Sequence, residues 1–236
     1  MTMTAAGIRT KLDALGNPEA AQFAQRFFKT SPGEYGEHDI FRGIRVPVLR
    51  KLSATLDDTD LPEVLILLSS EFHEDRLLAL LLLMRRFYRG NEKDQEQIYN
   101  LYLAHTHWIN NWDLVDISSA HIVGTFLQHR DRTPLYTLVK SDNLWERRIA
   151  ITATFHFIRL GELSDTFSLA EVLLHDKEEL LHKATGWMLR EAGKRDAPAL
   201  KGFLLKHYKI MPRVMLRYAI ERFLEEQRQQ YLKGIL

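Results

Sequence analysis

The stretch WERRIAITA (Trp145–Ala153) decides how this chain reads, because its pattern returns twice, as LLHKATGWM (Leu180–Met188) and as MLRYAIERF (Met215–Phe223). In each copy an alanine (Ala150, Ala184, Ala219) follows two residues after an ionisable side chain (Arg148, His182, Arg217). The alanines stand 34 and 35 residues apart, and Ala79, in the looser copy DRLLALLLL from Asp75, lies 71 before Ala150. A period near 35 accommodates two helices with their turns, which is the unit of an α-solenoid. A small alanine at the repeated position suits close contact between stacked helices.

Working outward, hydrophobic periodicity is helical nearly throughout. It predicts helices over Ala21–Lys29, Val48–Leu56, Leu61–Leu68, His73–Tyr88, Asp94–His105, Trp112–His129, Leu144–Leu160, Leu169–His175, Glu178–Lys194, Ala197–Lys206 and Val214–Gln227. Short gaps carry helix-start residues such as Asn143, Asp176, Asp196 and Pro212. The segment TSPGEYGEHDI (Thr30–Ile40) differs, with Pro32, Gly33, Gly36 and few apolar residues, and reads as a loop. The expected fold is therefore all-α, one α-solenoid of HEAT-like helical repeats over residues 1–236. Second helices of successive repeats would line a concave surface.

Composition narrows the function classes. With 12 glycines and 7 prolines in 236 residues, turn punctuation is too sparse for a β-rich chain. A net charge of +1 gives no general attraction to phosphate, so binding to nucleic acid requires the cations to be gathered on one face. The chain has no cysteine, which excludes disulfides and thiolate metal sites and fits a reducing, cytoplasmic setting. The N-terminus lacks the apolar core of a signal peptide, and the apolar run Leu77–Met84 is far too short to span a bilayer. His105 and His107 have no third ligand at metal-binding spacing, and no Walker loop, dinucleotide fingerprint or Gly-x-Ser-x-Gly is present. No metal or organic cofactor is expected.

The strongest chemical cluster is NWDLVDISS (Asn111–Ser119). Trp112 and Asp116 are four apart and share one helix face. One repeat beyond Trp112 stands Arg148, and two repeats beyond Asp116 stands Trp187. If the period holds, these four side chains occupy equivalent positions on successive inner helices and converge. Lys183, Arg190 and Lys194 fall at i, i+7 and i+11, with Trp187 between them. Arg147, Arg213 and Arg217 add positive charge, and upstream Arg45, Arg50 and Lys51 follow Gly43 at an expected helix start. Each of these also reads as an ordinary solvated cation or a core aromatic; it is their shared register that singles them out.

On NWDLVDISS, SDNLWERRIAI (Ser141–Ile151) and KATGWMLREAGK (Lys183–Lys194), and less specifically FRGIRVPVLRKL (Phe41–Leu52), the chain resembles the AlkD-type DNA alkylation repair family. These are HEAT-like repeat glycosylases that remove N3- and N7-alkylated purines. The resemblance implies that Asp116 is the catalytic carboxylate, that Trp112 and Trp187 flank it, and that Arg148 holds DNA near the lesion. It implies duplex DNA with alkylated bases as the partner and base excision repair as the setting; since a curved duplex clamp needs no partner subunit, a monomer is expected. Asn111 stands where some relatives carry a second tryptophan, and the Thr30–Ile40 loop is longer than the family's. Two rivals stay open: a non-catalytic repeat protein that binds DNA structures, and a protein-binding scaffold. The carboxylate favours the enzyme, since binding a polyanion gains nothing from an added negative charge.

Overall fold

The computed structural model describes residues 2–235. Among them every regular element is helical apart from one isolated β-bridge between Ile40 and Phe72, so the all-α reading holds. The chain divides into two compact units, Met1–Leu114 and Val115–Leu236. No described helix is long and apolar enough to cross a membrane.

The first unit contains α1 (Ala5–Leu15), α2 (Pro18–Phe27), α3 (Val46–Ser53), α4 (Leu61–Leu68), α5 (His73–Arg89) and α6 (Glu92–Ala104). Its centre is α5, buried without interruption from His73 to Met84 and packed against α3, α4 and α6. The run LLALLLLM is apolar on every side, and a helix of that kind is stable only when neighbours surround it. Thr4 caps α1, and Asn91 and Asp94 form a reciprocal capping box on α6. Between α2 and α3 the chain runs as a loop, as the Thr30–Ile40 composition predicts. Unlike its neighbours, α2 buries none of its residues and leaves Phe23 and Phe27 exposed.

The boundary between the units falls inside α7 (Trp112–Ser119), which a π-helical turn over Ala120–Gly124 follows. The second unit then contains α8 (Thr133–Leu138), α9 (Leu144–Leu160), α10 (Ser164–Val172), α11 (Glu179–Arg195), α12 (Ala197–His207), α13 (Arg213–Ala219) and α14 (Glu225–Lys233). α11 packs on both α9 and α13, and the repeat alanines Ala150, Ala184 and Ala219 are all buried. Gly186 shows how close that packing is. A Cβ there would lie 2.5 Å from the Met215 carbonyl oxygen and from the Tyr218 Cβ. Gly124 does the same for the π-helical turn, where a Cβ would lie 2.5 Å from the Ala153 carbonyl oxygen.

Several boundaries differ from the periodicity. The expected helix over Trp112–His129 leaves α-geometry at Ala120, where the π turn brings the backbone against α9 at Gly124. The expected helix over Val214–Gln227 stops at Ala219 and resumes at Glu225. The break folds α14 back so that Tyr231 is buried edge-on against Tyr208 and Phe223, at 5.6 and 5.7 Å. α1 and α8 were not expected.

Candidate functional site

In the second unit the structure joins two of the four singled-out residues. Arg148 approaches Asp116 as a fork: Nε donates to Oδ1 at 2.9 Å and Nη2 to Oδ2 at 2.8 Å. Nη1 donates to the Leu180 carbonyl oxygen ahead of α11's second turn. The guanidinium side chain is 6% exposed and the carboxylate 19%, so the anion is the member of the pair that solvent reaches. Such bidentate pairing fixes the plane and both oxygens of a carboxylate, which a single point charge does not. A hydroxyl chain steadies the helices behind it. Ser119 and Thr152 share a 2.8 Å hydrogen bond, and the Thr152 hydroxyl donates to the Arg148 carbonyl at 2.7 Å.

Arg148 is thus committed to a carboxylate inside the protein, a different posture from a side chain extended toward solvent. Trp187 is half-buried, its ring tilted against Phe155 at 5.8 Å between centroids. The other cations singled out in this unit differ in how they are held. Arg147 is held by Asp176 at 2.7 Å and by the carbonyls of Ser141 and Asp142, and Arg190 pairs with Glu221 and Glu191. Lys183 and Lys194 pair with Glu179 and Glu191 on their own helix yet stay about two-fifths exposed. Arg213 donates to the Leu232 carbonyl and, like Arg217, is exposed.

In the first unit, Trp112 joins an aromatic column. Its ring stacks on Phe28 at 5.2 Å, Phe28 stacks on Phe41 at 5.1 Å, and Phe41 stacks on His73 at 4.7 Å. Phe27 meets Trp112 edge-on at 5.9 Å. Arg45, the residue before α3, is exposed, as are Arg50 and Lys51.

Behind that column lies a buried ionic knot that periodicity did not disclose. His73 Nε2 faces Asp113 Oδ2 at 2.8 Å, and its Nδ1 faces Asp39 Oδ2 at 3.3 Å. Arg76 donates to Asp39 Oδ1 at 2.5 Å, and Asn111 donates to Asp39 Oδ2 at 3.1 Å while accepting the Trp112 backbone N–H at 2.8 Å. The Leu114 N–H is taken by Asp113. Burial by itself would drive the His73 imidazole toward neutrality. The carboxylates of Asp113 and Asp39 outweigh it and push the pKa up to about 9. Asp39 is likewise held below the ordinary carboxylate range: burial opposes this, while His73, Arg76 and Asn111 prevail. Two cations and two anions therefore balance, with Asp39, His73 and Arg76 buried and Asp113 partly open to solvent. The next residues of α5 are also spent internally. Glu74 accepts the N–H groups of Arg42, Gly43 and Ile44, and Asp75 takes the Arg42 fork. The sequence signal for all this was HEDR (His73–Arg76), four consecutive ionisable residues opening a helix that is otherwise apolar all round.

Among the described residues no group of three or more His, Asp or Glu side chains is arranged to hold a metal ion.

Two solved structures share the fold. A predicted DNA alkylation repair enzyme from Enterococcus faecalis superposes with a TM-score of 0.68 at 17% identity, covering 89% of this chain and 97% of its own. AlkD2 from Streptococcus mutans superposes with a TM-score of 0.55, also at 17% identity, covering 94% of this chain and 97% of its own. No curated protein gives a match. The family model for DNA alkylation repair enzymes matches residues 8–223, nearly the whole chain, and the protein belongs to that family.

Proposed function

We propose that this protein is a monofunctional DNA glycosylase that excises positively charged N3- or N7-alkylated purines from duplex DNA in base excision repair, with Asp116 as the catalytic carboxylate. The observation that carries this reading is the Arg148 fork on Asp116, which presents an oriented, partly exposed carboxylate rather than a mobile surface acid.

The chemistry of the lesion explains why so little machinery suffices. An N3- or N7-alkylated purine is cationic, so it leaves with the electron pair of the glycosidic bond and needs no proton donor. The sugar left behind develops oxocarbenium character, and a preorganised carboxylate beside it stabilises that charge. Asp116 then orients and deprotonates the water that adds to the sugar carbon. The face of Trp187 attracts a cationic base through its quadrupole, worth about 0.5–2 kcal/mol, and Trp112 is the second aromatic that the family resemblance assigns. Arg148 acts as a positioning residue through Asp116. Phosphate contacts fall to the exposed cations Lys183, Lys194, Arg213, Arg217, Arg45, Arg50 and Lys51; Arg147 and Arg190, already engaged by acids, hold the structure.

A second reading draws on the same pair. With both oxygens of Asp116 engaged, the carboxylate serves as a strut in a protein that binds damaged or branched DNA without cleaving the glycosidic bond. Methylated duplex DNA separates the two. The wild type should release free alkylpurine, and Asp116→Asn should bind DNA comparably while release falls by about 10²–10³. Equal release by both proteins removes Asp116 from the chemistry, and no release by either supports the strut.

A further inference from the structure

The first unit holds a cavity of about 410 Å³ beside α2 whose lining is neither ordinary core nor ordinary surface. Phe23 brings a largely exposed ring to it, Phe28 and Phe41, whose faces are engaged in the aromatic column, add apolar lining, the His73–Asp113 ion pair lies at its polar end, and exposed Arg45 stands at its rim. α2 supplies one wall through Ala20, Phe23 and Ala24, at the i, i+3, i+4 spacing of an apolar stripe, with Phe27 continuing it. That stripe is not covered by the protein: Phe23 is 65% exposed and Phe27 54%.

The polar groups in the lining limit what the cavity can recognise. Glu74 is filled by three backbone N–H groups, and both ring nitrogens of His73 face carboxylates. Asp113 is different. One oxygen accepts from His73 and the other from the Leu114 N–H, each with a further lone pair, and the side chain is 17% exposed. A ligand therefore meets stacking surface, a carboxylate acceptor and a guanidinium at the entrance.

We propose that this cavity binds a single unstacked nucleobase that carries an exocyclic amine, with its phosphate against Arg45. The exposed ring of Phe23 can stack any base because every base has a π face, while the Asp113 carboxylate rewards an edge with N–H donors. Guanine, whose N1–H and N2–H₂ lie side by side, suits it best. Thymine, with one imino donor flanked by two carbonyls, suits it least. The cavity is large enough for one base with solvent beside it. Its occupancy requires no alkylated lesion, so the proposal stands apart from the role given to Asp116.

The test uses the full-length protein and undamaged DNA: a duplex with 2-aminopurine, which carries the required amine, placed opposite an abasic site. Stacking in the cavity should quench the 2-aminopurine saturably. Phe23→Ala, an exposed position whose truncation spares the core, should weaken the quenching isotherm by about fivefold or more. Competition by dGMP should exceed that by dTMP. Equal quenching by wild type and Phe23→Ala overturns the proposal, as does no quenching at all. Equal competition by dGMP and dTMP overturns the assignment of Asp113. Absent quenching with a concentration-dependent dimer lost in Phe23→Ala assigns the apolar stripe to a second copy of the chain instead. Because no alkylated base is present, none of these outcomes depends on whether Asp116 supports base release.

Discussion

Raising the pH from 6 to 9.5 should loosen the first unit, and His73→Gln should abolish that response. The imidazole is raised from its ordinary 6.5 to about 9 because both ring nitrogens face buried carboxylates. A folded-state pKa above the unfolded one contributes stability that is fully present below pH 6.5 and is lost as pH climbs through about 9. A shift of that size corresponds to roughly 3 kcal/mol at about 1.4 kcal/mol per pK unit. The group is almost wholly buried, so little of this is lost to solvent screening. Urea titration, followed by far-UV circular dichroism, should show the midpoint falling by about 1–1.5 M between the two pH values, for a slope near 2 kcal/mol/M. Glutamine offers a donor and an acceptor but cannot carry the charge. Its variant should be less stable than wild type at pH 6, with the gap closing by pH 9.5. A gap that is constant across that range, or an imidazole seen by NMR to titrate near 6.5, would refute the charge-balanced knot.

Arg148→Lys keeps the charge but not the fork, so alkylpurine release should fall about tenfold or more in kcat with KM little changed, read by single-turnover kinetics against KM for methylated DNA. A rise in KM alone would place Arg148 on DNA rather than behind Asp116. Arg217→Ala should lower duplex affinity and make the slope of log K against log salt shallower by about 0.9, measured by fluorescence anisotropy; an unchanged slope removes Arg217 from the phosphate contacts. Gly186→Ala drives a methyl to 2.5 Å from the Met215 carbonyl oxygen, and should cost about 1–3 kcal/mol, seen as a Tm lower by several degrees. An unshifted Tm would show that α11 and α13 separate without penalty.

Much of the fold is legible because repetition and periodicity both leave marks in sequence. Leu61–Leu68 and Leu144–Leu160 end where the apolar pattern ends, and the three repeat alanines are buried where α9, α11 and α13 pack. Spacing brought Asp116 and Arg148 to one expected surface, but it matched Arg148 with Trp112 and Asp116 with Trp187 rather than pairing the two. What the spacing could not convey is which way Arg148 points, since a guanidinium reaches a phosphate or a carboxylate equally well. The π turn after Ser119 is silent because it alters backbone hydrogen bonding without altering composition. The knot was illegible for another reason. Asp39 comes from a loop, His73 from a helix start and Asp113 from the next helix start but one, 34 and 40 residues apart, so only the first step matches the repeat and it starts outside any helix. Only the unusual run His73–Arg76, polar where α5 needed apolar residues, hinted that partners awaited it. α1, by contrast, carries a signal that the expected helices omit: it starts at its Thr4 cap and buries Ala5, Ile8 and Leu12 at helical spacing.

The balanced charges around His73 also bear on how such a protein can change over time. Losing Asp39 or Arg76 alone strands an opposite charge in the buried part of the knot, a penalty of about 3–5 kcal/mol that a marginally stable domain rarely survives. Single steps away from the knot are therefore closed, while its wholesale exchange for apolar residues is energetically open but needs several changes at once. The four residues form a heritable block with strong epistasis, and lineages should either keep it intact or show it replaced entire. Because Asn111 joins the block to the first backbone N–H of α7, the aromatic at position 112 is carried along with it.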